Sequence, residues 1–532
     1  MPLRRLAFTI VPAVVTALLT TAVATAQSAA APPLPPGFDA FVDSVLTAFR
    51  VPGASVAVVR DGRTVLAKGY GVRELGQPAR VDSATLFGIA SNTKLMTATA
   101  LAMLVEEGKL DWDAPVQRWL PWFSLSDPWV SSQLTIRDLL VHRSGLGLGA
   151  GDLLWWPGTT YTRREIAERL RFLPLATSFR SAYAYDNVLY LVAGEVIKAV
   201  TGQEWEDFVT ARVLRPSGMT GAWPRHAAPT GVANVARTHA PVEGTMRVVP
   251  PLGSDNTNPA GGVMAGAVDM AAWLRVQLDS GRTGDGTRLW KTATTRQLWS
   301  LVTPIPTGEP ILELRPTRAS FAGYGLGVFV RDWRGQKLVT HDGGLPGYVS
   351  RVAMLPDRRT GIAVLTNAES TPALIAISGA LLDHVLGARD VDWLRAATAL
   401  EVRSRSAIAA TVRSTAAARD SASRPARPLA AYAGTYRDAW YGDVAITEER
   451  GRLVLRMTRT PAMVGDLSHW QYDTFLVRWR DRSLRADAFA SFVLAADGSV
   501  SEARMPPASP EVDFSFDFQD LRLVRVANGA LP

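Results

Sequence analysis

The 532-residue chain contains no cysteine. That excludes a disulfide framework, a thiol nucleophile, a zinc-thiolate centre and a lipid-modified cysteine. Lysine is scarce. Six of the 57 basic residues are lysine (Lys68, Lys94, Lys109, Lys198, Lys291 and Lys337), and the rest are arginine. Arginine stays charged, whereas a lysine surrendered to apolar surroundings loses its proton. In such a chain each lysine raises the question of whether neutrality matters there. No His-Glu-x-x-His and no cluster of His or Asp at ligand spacing occurs, so neither a metal nor another cofactor is implied. The net charge is +8, but the arginines are interspersed with acids, with no basic stripe and no aromatic nucleic-acid module. Nucleic acid is therefore not an expected partner.

Beyond the N-terminus no run is apolar enough to span a bilayer. The start itself reads as a secretion signal over residues 1–26. Arg4 and Arg5 are followed by the apolar stretch 6–19, and Ala24-Thr25-Ala26 offers a cleavage site before Gln27. The expected location is periplasmic or secreted, with no stable membrane span after cleavage; a retained anchor is the alternative.

The length favours two or more compact units, and an apolar content of 47% supports large cores. After a Pro/Ala spacer, ASVAVVRDGRTVLAKGYGV (54–72) alternates around Asp61-Gly62 as a β-hairpin. A helical region follows to about residue 300, including TIRDLLVHR (135–143), REIAERLRFL (164–173) and NVLYLVAGEVIKAVTG (187–202). Strands return over 324–344, 348–356 and 360–367, before a helix at 372–387. Strands at both ends of a helical middle imply an α+β domain over 35–395, in which an antiparallel sheet is flanked by helices and carries an inserted all-helical lobe. An Ala/Arg/Ser-rich helical tail and linker spans 396–427. Short alternating segments from 428 to 532, DFSFDF (513–518) among them, read as strands of a small antiparallel β-barrel.

Three short patterns carry chemistry, and each occurs once. Ser91 and Lys94 stand three residues apart at the start of a segment apolar nearly all round, so they share a helix face. A serine hydroxyl needs a base beside it, and a desolvated lysine can accept its proton. The Ser91 N–H at the helix start would stabilise an oxyanion. The plainer alternative is an N-cap serine with a lysine reaching solvent. Tyr185 and Asn187 form a Tyr-x-Asn at the entry to a helix. A phenol beside a lysine cation is expected to have a lowered pKa, and the pair is expected to move the Ser91 proton while Asn187 holds Lys94 and a substrate carbonyl. A core tyrosine and an N-cap asparagine are the alternative. His341 and Gly343, in VTHDGGLPGY, end a strand; the Gly344 N–H is a candidate second oxyanion donor, and His341 a candidate donor to substrate. A hairpin turn with an incidental histidine is the alternative. Trp155 and Trp156 line either a cleft or a core.

In this order the motifs resemble the penicillin-recognising serine hydrolases of the class C β-lactamase type, with their D,D-peptidase, D-aminopeptidase and esterase relatives. The resemblance covers about 38–390, with side features such as LLVHRSGL and NPAGGVMAGAVDMAAWL; the C-terminal part is similar to a domain often appended to such enzymes. It implies an exported enzyme that cleaves an amide or ester through a Ser91 acyl-enzyme. Lys94 and Tyr185 would handle protons, Asn187 would bind substrate, and the N–H groups of Ser91 and Gly344 would form the oxyanion hole. The implied substrate is a small molecule or peptide, such as a D-amino-acid peptide or cell-wall fragment. A carboxylesterase or weak β-lactamase is the alternative, and a non-catalytic penicillin-binding sensor or scaffold is the alternative of another class. His341 stands where β-lactamases carry a lysine, which is more similar to the peptidases and esterases. Asp186 replaces a small residue and is expected to point away from the cleft. Ser254-Asp255-Asn256 and Lys291-Thr292-Ala293 imitate other family motifs but sit in a loop and at a helix start.

Overall fold

The computed structural model describes residues 34–526, so the expected signal lies outside the described residues. The strands from the two ends of the first domain form one eight-stranded antiparallel sheet. In spatial order its strands are Arg63–Gly71, Gly53–Arg60, Thr360–Thr366, Tyr348–Leu355, Gln336–Leu345, Phe329–Trp333, Ala322–Tyr324 and Thr303–Pro304. The hairpin turns at Asp61 (φ 50°) and Gly62 (φ 74°), the pair of left-handed residues a two-residue turn needs.

The strand Gly53–Arg60 is buried on both faces, so alternation assigns its side chains to two separate cores. Val56 and Val58 join Ile362, Leu374 and the N-terminal helix Phe38–Ala48. Ala57 and Val59 join Ala363, Leu274 and the helical lobe. The helix Thr93–Glu106 lies within that second core and is buried on every side from Thr93 to Leu104, as a helix without a polar face must be.

A 25-residue helix, Trp393–Ala417, leads to the C-terminal unit, a closed barrel of eight antiparallel strands. Its interior is continuous with the core of the helical lobe. The two units are also joined by polar contacts. Arg169 donates to the Trp440 carbonyl at 2.9 Å, the Tyr161 hydroxyl donates to the Tyr441 carbonyl, and Arg485 of the barrel pairs with Glu369 at 2.6 Å.

The α+β architecture with an added barrel is the expected one; several local elements are not. Residues 135–143 hold only a 3₁₀ turn, Asp138–Leu140. Asp138 accepts from the Thr135 hydroxyl and from Arg143 and Arg180, which fixes a turn where the apolar spacing suggested a helix. The helical middle also contains a small hairpin, His239–Val242 with Thr245–Val248. In the barrel, Val464–Gln471 is a strand the pattern did not reveal, whereas 513–518 is not a strand. That segment is a strap leading into a 3₁₀ turn; two of its alternating phenylalanines, Phe514 and Phe516, line the cleft, and the third, Phe518, packs on Trp479 of the barrel.

Candidate active site

Ser91 sits in a one-turn 3₁₀ helix, Ala90–Asn92, that runs directly into the buried helix Thr93–Glu106. The turn is sharp. Ala90 adopts φ 49°, a region that disfavours a side chain, so the surroundings must impose it. Ser350 on the adjacent strand supplies that restraint: its hydroxyl donates to the Ile89 carbonyl at 2.7 Å and accepts from the Asn92 amide at 2.8 Å. Gly343 allows the strand beneath to come this close, since a Cβ there would stand 2.4 Å from the Ile89 carbonyl oxygen.

Lys94 is completely buried. Its Nζ lies 3.0 Å from Ser91 Oγ, 2.7 Å from Asn187 Oδ1 and 2.9 Å from the Ala260 carbonyl. The rings of Tyr185 and Tyr190 stand 4.9 and 5.1 Å away. Burial pulls the Lys94 pKa down to about 7, against the opposing pull of the Asp152 and Asp186 carboxylates. As an ammonium it donates to all three oxygens. As a neutral amine it has two hydrogens, which Asn187 and Ala260 accept, and its lone pair then faces Ser91 Oγ.

Asn187 stands at the entry to the helix Val188–Thr201 but makes no side-chain cap. It gives up a contact of about 1 kcal/mol, with Oδ1 accepting from Lys94 and Nδ2 donating to Asp152 Oδ2 at 2.8 Å. Tyr185 is half-buried at the cleft, within hydrogen-bonding reach of Ser91. Its pKa departs from the sequence-based expectation. Burial holds the phenol well above its usual value, against the lowering effect of its hydrogen bond with Ser91. Tyr185 is therefore a neutral phenol. Asp186 is fully buried behind it, as expected for a side chain turned from the cleft, and burial pushes its carboxyl up to about 7.

His341, Gly343 and Gly344 lie on the strand Gln336–Leu345, with Gly343 opposite Ser350 and Gly344 opposite Val349. Space is open where a Gly344 side chain would be. Burial, then the Lys94 charge, brings the His341 pKa down to about 3, so the ring is neutral. Its Nδ1 is 2.5 Å from the Asp342 carbonyl and its Nε2 2.8 Å from the Tyr324 hydroxyl. Both nitrogens are engaged, so the expected donation to substrate requires exchange of one of these partners. Among the two decoys, Asp255 and Asn256 form a 3₁₀ turn and Lys291 precedes a short helix, facing Glu106.

Ser91, Tyr185, Asn187, His341, Gly343 and Gly344 line one cleft of about 970 Å³, and Lys94 stands just behind it. Trp155 and Trp156 also line it. Two parts of the site have no counterpart in the motif reading. One is Asp152, buried between the Trp155 indole N–H and the Asn187 amide. The other is the barrel, whose Asp481, Arg485, Phe514 and Phe516 supply the facing wall. No short pattern marks either, since their partners are distant in sequence.

A family model described as Beta-lactamase matches residues 38–384, and a model of a domain of unknown function matches 418–525. An unguisins hydrolase of Aspergillus violaceofuscus is 28% identical over 455 residues, 81% of this chain and 79% of that protein. Penicillin-binding protein 4 of Amycolatopsis lactamdurans is 30% identical over 337 residues, 61% of this chain and 83% of that protein. The octameric penicillin-binding protein homologue from Pyrococcus abyssi superposes with a TM-score of 0.58 at 20% identity, covering 92% of this chain and 99% of that one. This last similarity is one of fold.

Proposed function

The chain belongs to the Beta-lactamase family of serine hydrolases and penicillin-binding proteins, and from that premise we propose that it is an exported hydrolase acting through a Ser91 acyl-enzyme. The observation that carries the reading is the buried Lys94 amine 3.0 Å from Ser91 Oγ, with its other hydrogens assigned to Asn187 and Ala260.

Neutral Lys94 accepts the Ser91 proton as Oγ attacks the substrate carbonyl carbon. The resulting oxyanion is stabilised by the N–H groups of Ser91 and Gly344. The tetrahedral intermediate collapses when the leaving amine or alkoxide receives a proton. Tyr185, a neutral phenol within reach of Ser91, passes that proton from Lys94 to the leaving group. Water then attacks the acyl carbon as the same groups run in reverse, freeing acid and Ser91.

The substrate is an amide or ester of peptide size, such as a D-amino-acid peptide or a cell-wall fragment. Three features support this: a cleft of about 970 Å³, walls from two domains, and a neutral histidine in place of a cationic residue on the strand beside Ser91. The relatives include a named unguisins hydrolase, consistent with a substrate beyond the β-lactams. Labelling with a fluorophosphonate, followed by peptide mapping, tests the reading. The wild type should be modified at Ser91 and Ser91→Ala should not; labelling that persists in Ser91→Ala removes Ser91 from the mechanism.

A further inference from the structure

The barrel matches a domain of unknown function, yet its strap 513–518 enters the active site. Three alternate residues anchor it. The Phe514 ring stands 6.2 Å from Tyr185, and its carbonyl oxygen would be 2.7 Å from any Cβ at Gly149. Phe516 meets Trp156 edge-on at 6.3 Å. Phe518 lies 5.9 Å from Trp479 inside the barrel. Between them are two polar residues. Asp517 accepts from the backbone N–H of Gly151 at 2.7 Å and of Leu153 at 2.9 Å. It therefore grips the chain on both sides of Asp152. The Ser515 hydroxyl donates to Asp152 Oδ2 at 2.8 Å, a contact between residues 363 apart in sequence.

Asp152 is where this grip meets the chemistry. Oδ1 accepts from the Trp155 indole, and Oδ2 accepts from both Asn187 and Ser515. While the carboxyl is purely an acceptor, the Asn187 amide must turn its Nδ2 toward it and its Oδ1 toward Lys94. A carboxyl that loses a donor in a buried site takes up a proton more readily. A protonated Asp152 would donate to Asn187 and favour the flipped amide, which aims N–H groups at Lys94. The Lys94 amine would then lose the acceptor that directs its lone pair at Ser91. Burial already pushes the Asp152 carboxyl up to about 7 against its three donors, so the removal of one matters.

We propose that Ser515, on the C-terminal barrel, is a positioning residue for the Ser91–Lys94 pair, acting through Asp152 and Asn187. The barrel thereby completes the active site. The inference rests on the acyl-enzyme reading above, and its test separates the two.

Full-length Ser515→Ala, Asp152→Asn and the double variant are compared with the wild type on a small p-nitrophenyl ester that does not reach the barrel wall. Ser515→Ala should lower kcat about tenfold, the effect of one buried hydrogen bond, with KM within about twofold. The double variant should be no slower than Asp152→Asn alone, since Ser515 acts through Asp152. An unchanged kcat in Ser515→Ala overturns the proposal, as do losses that multiply in the double variant. If the wild type neither hydrolyses esters nor is labelled at Ser91, the acyl-enzyme reading fails. The pH profile of kcat then decides the relay: the acid limb of Ser515→Ala should move to higher pH, because Asp152 keeps its proton longer without the Ser515 donor, and an acid limb left where the wild type has it overturns the proposal.

Discussion

The two walls of the cleft come from different units and carry different things. The wall of the first domain holds the reacting groups on a buried helix, a helix entry and a central strand. The barrel wall holds Phe514, Phe516, Asp481 and Arg485. The first wall is built for proton transfer and the second for shape and for holding the first in place. Substitutions should separate the two accordingly, in chemistry on the first wall and, Ser515 apart, in substrate choice or stability on the second.

The largest effect is expected on the first wall. Lys94→Arg keeps a cation but cannot supply a lone pair, because arginine does not give up its proton. Turnover should fall by ~10²- to 10⁴-fold, the usual contribution of a general base. Stopped-flow measurement of acylation checks this, and near-normal acylation would place the base elsewhere. A smaller effect belongs to the restraint on the catalytic turn. Ser350→Ala leaves the Ile89 carbonyl and the Asn92 amide without their shared partner, so it should cost about 1–3 kcal/mol of stability and slow acylation together. Urea unfolding monitored beside the acylation rate measures both.

On the barrel wall, Phe514→Ala should change selectivity rather than chemistry. A peptide-sized substrate should lose up to about tenfold in kcat/KM, within the range for lost apolar contact in a pocket, while a small ester keeps its rate. Equal losses on both substrates would merge the two walls into one functional unit. The smallest effect is that of Arg485→Ala. Its pair with Glu369 is partly exposed, with side chains 28% and 22% accessible, so about 1 kcal/mol or less of stability is expected, read as a slight fall in Tm.

The first wall was legible in the sequence because its chemistry demands fixed residue types at short spacing. Ser91-x-x-Lys94, Tyr185-x-Asn187 and His341-x-Gly343 each occur once, and the structure brings all three together. The alternation of the hairpin 54–72 and the all-apolar helix after Ser91 likewise foretold a sheet with a buried helix behind it. The second wall was not legible, since a long-range contact leaves no local pattern. DFSFDF reads as a strand because its phenylalanines alternate. They do so as anchors of a strap, one toward Tyr185, one toward Trp156 and one into the barrel. Asp152 was hidden for the same reason, its partners Asn187 and Ser515 being far along the chain. The sign of the Tyr185 shift was missed because sequence shows a neighbouring cation but not the depth of burial, and burial is the larger effect.

The central claim is that Lys94 is neutral when Ser91 reacts, and the pH dependence of Ser91 phosphonylation tests it most directly. Burial lowers the lysine from its ordinary value of 10.5 to about 7, so the fraction of free amine grows as pH rises through that value. The second-order rate should climb with pH to a plateau with its midpoint near 7, and Lys94→Arg should abolish the climb. A rate indifferent to pH between 5 and 9, or one that rises only toward the ordinary lysine range, would contradict the account.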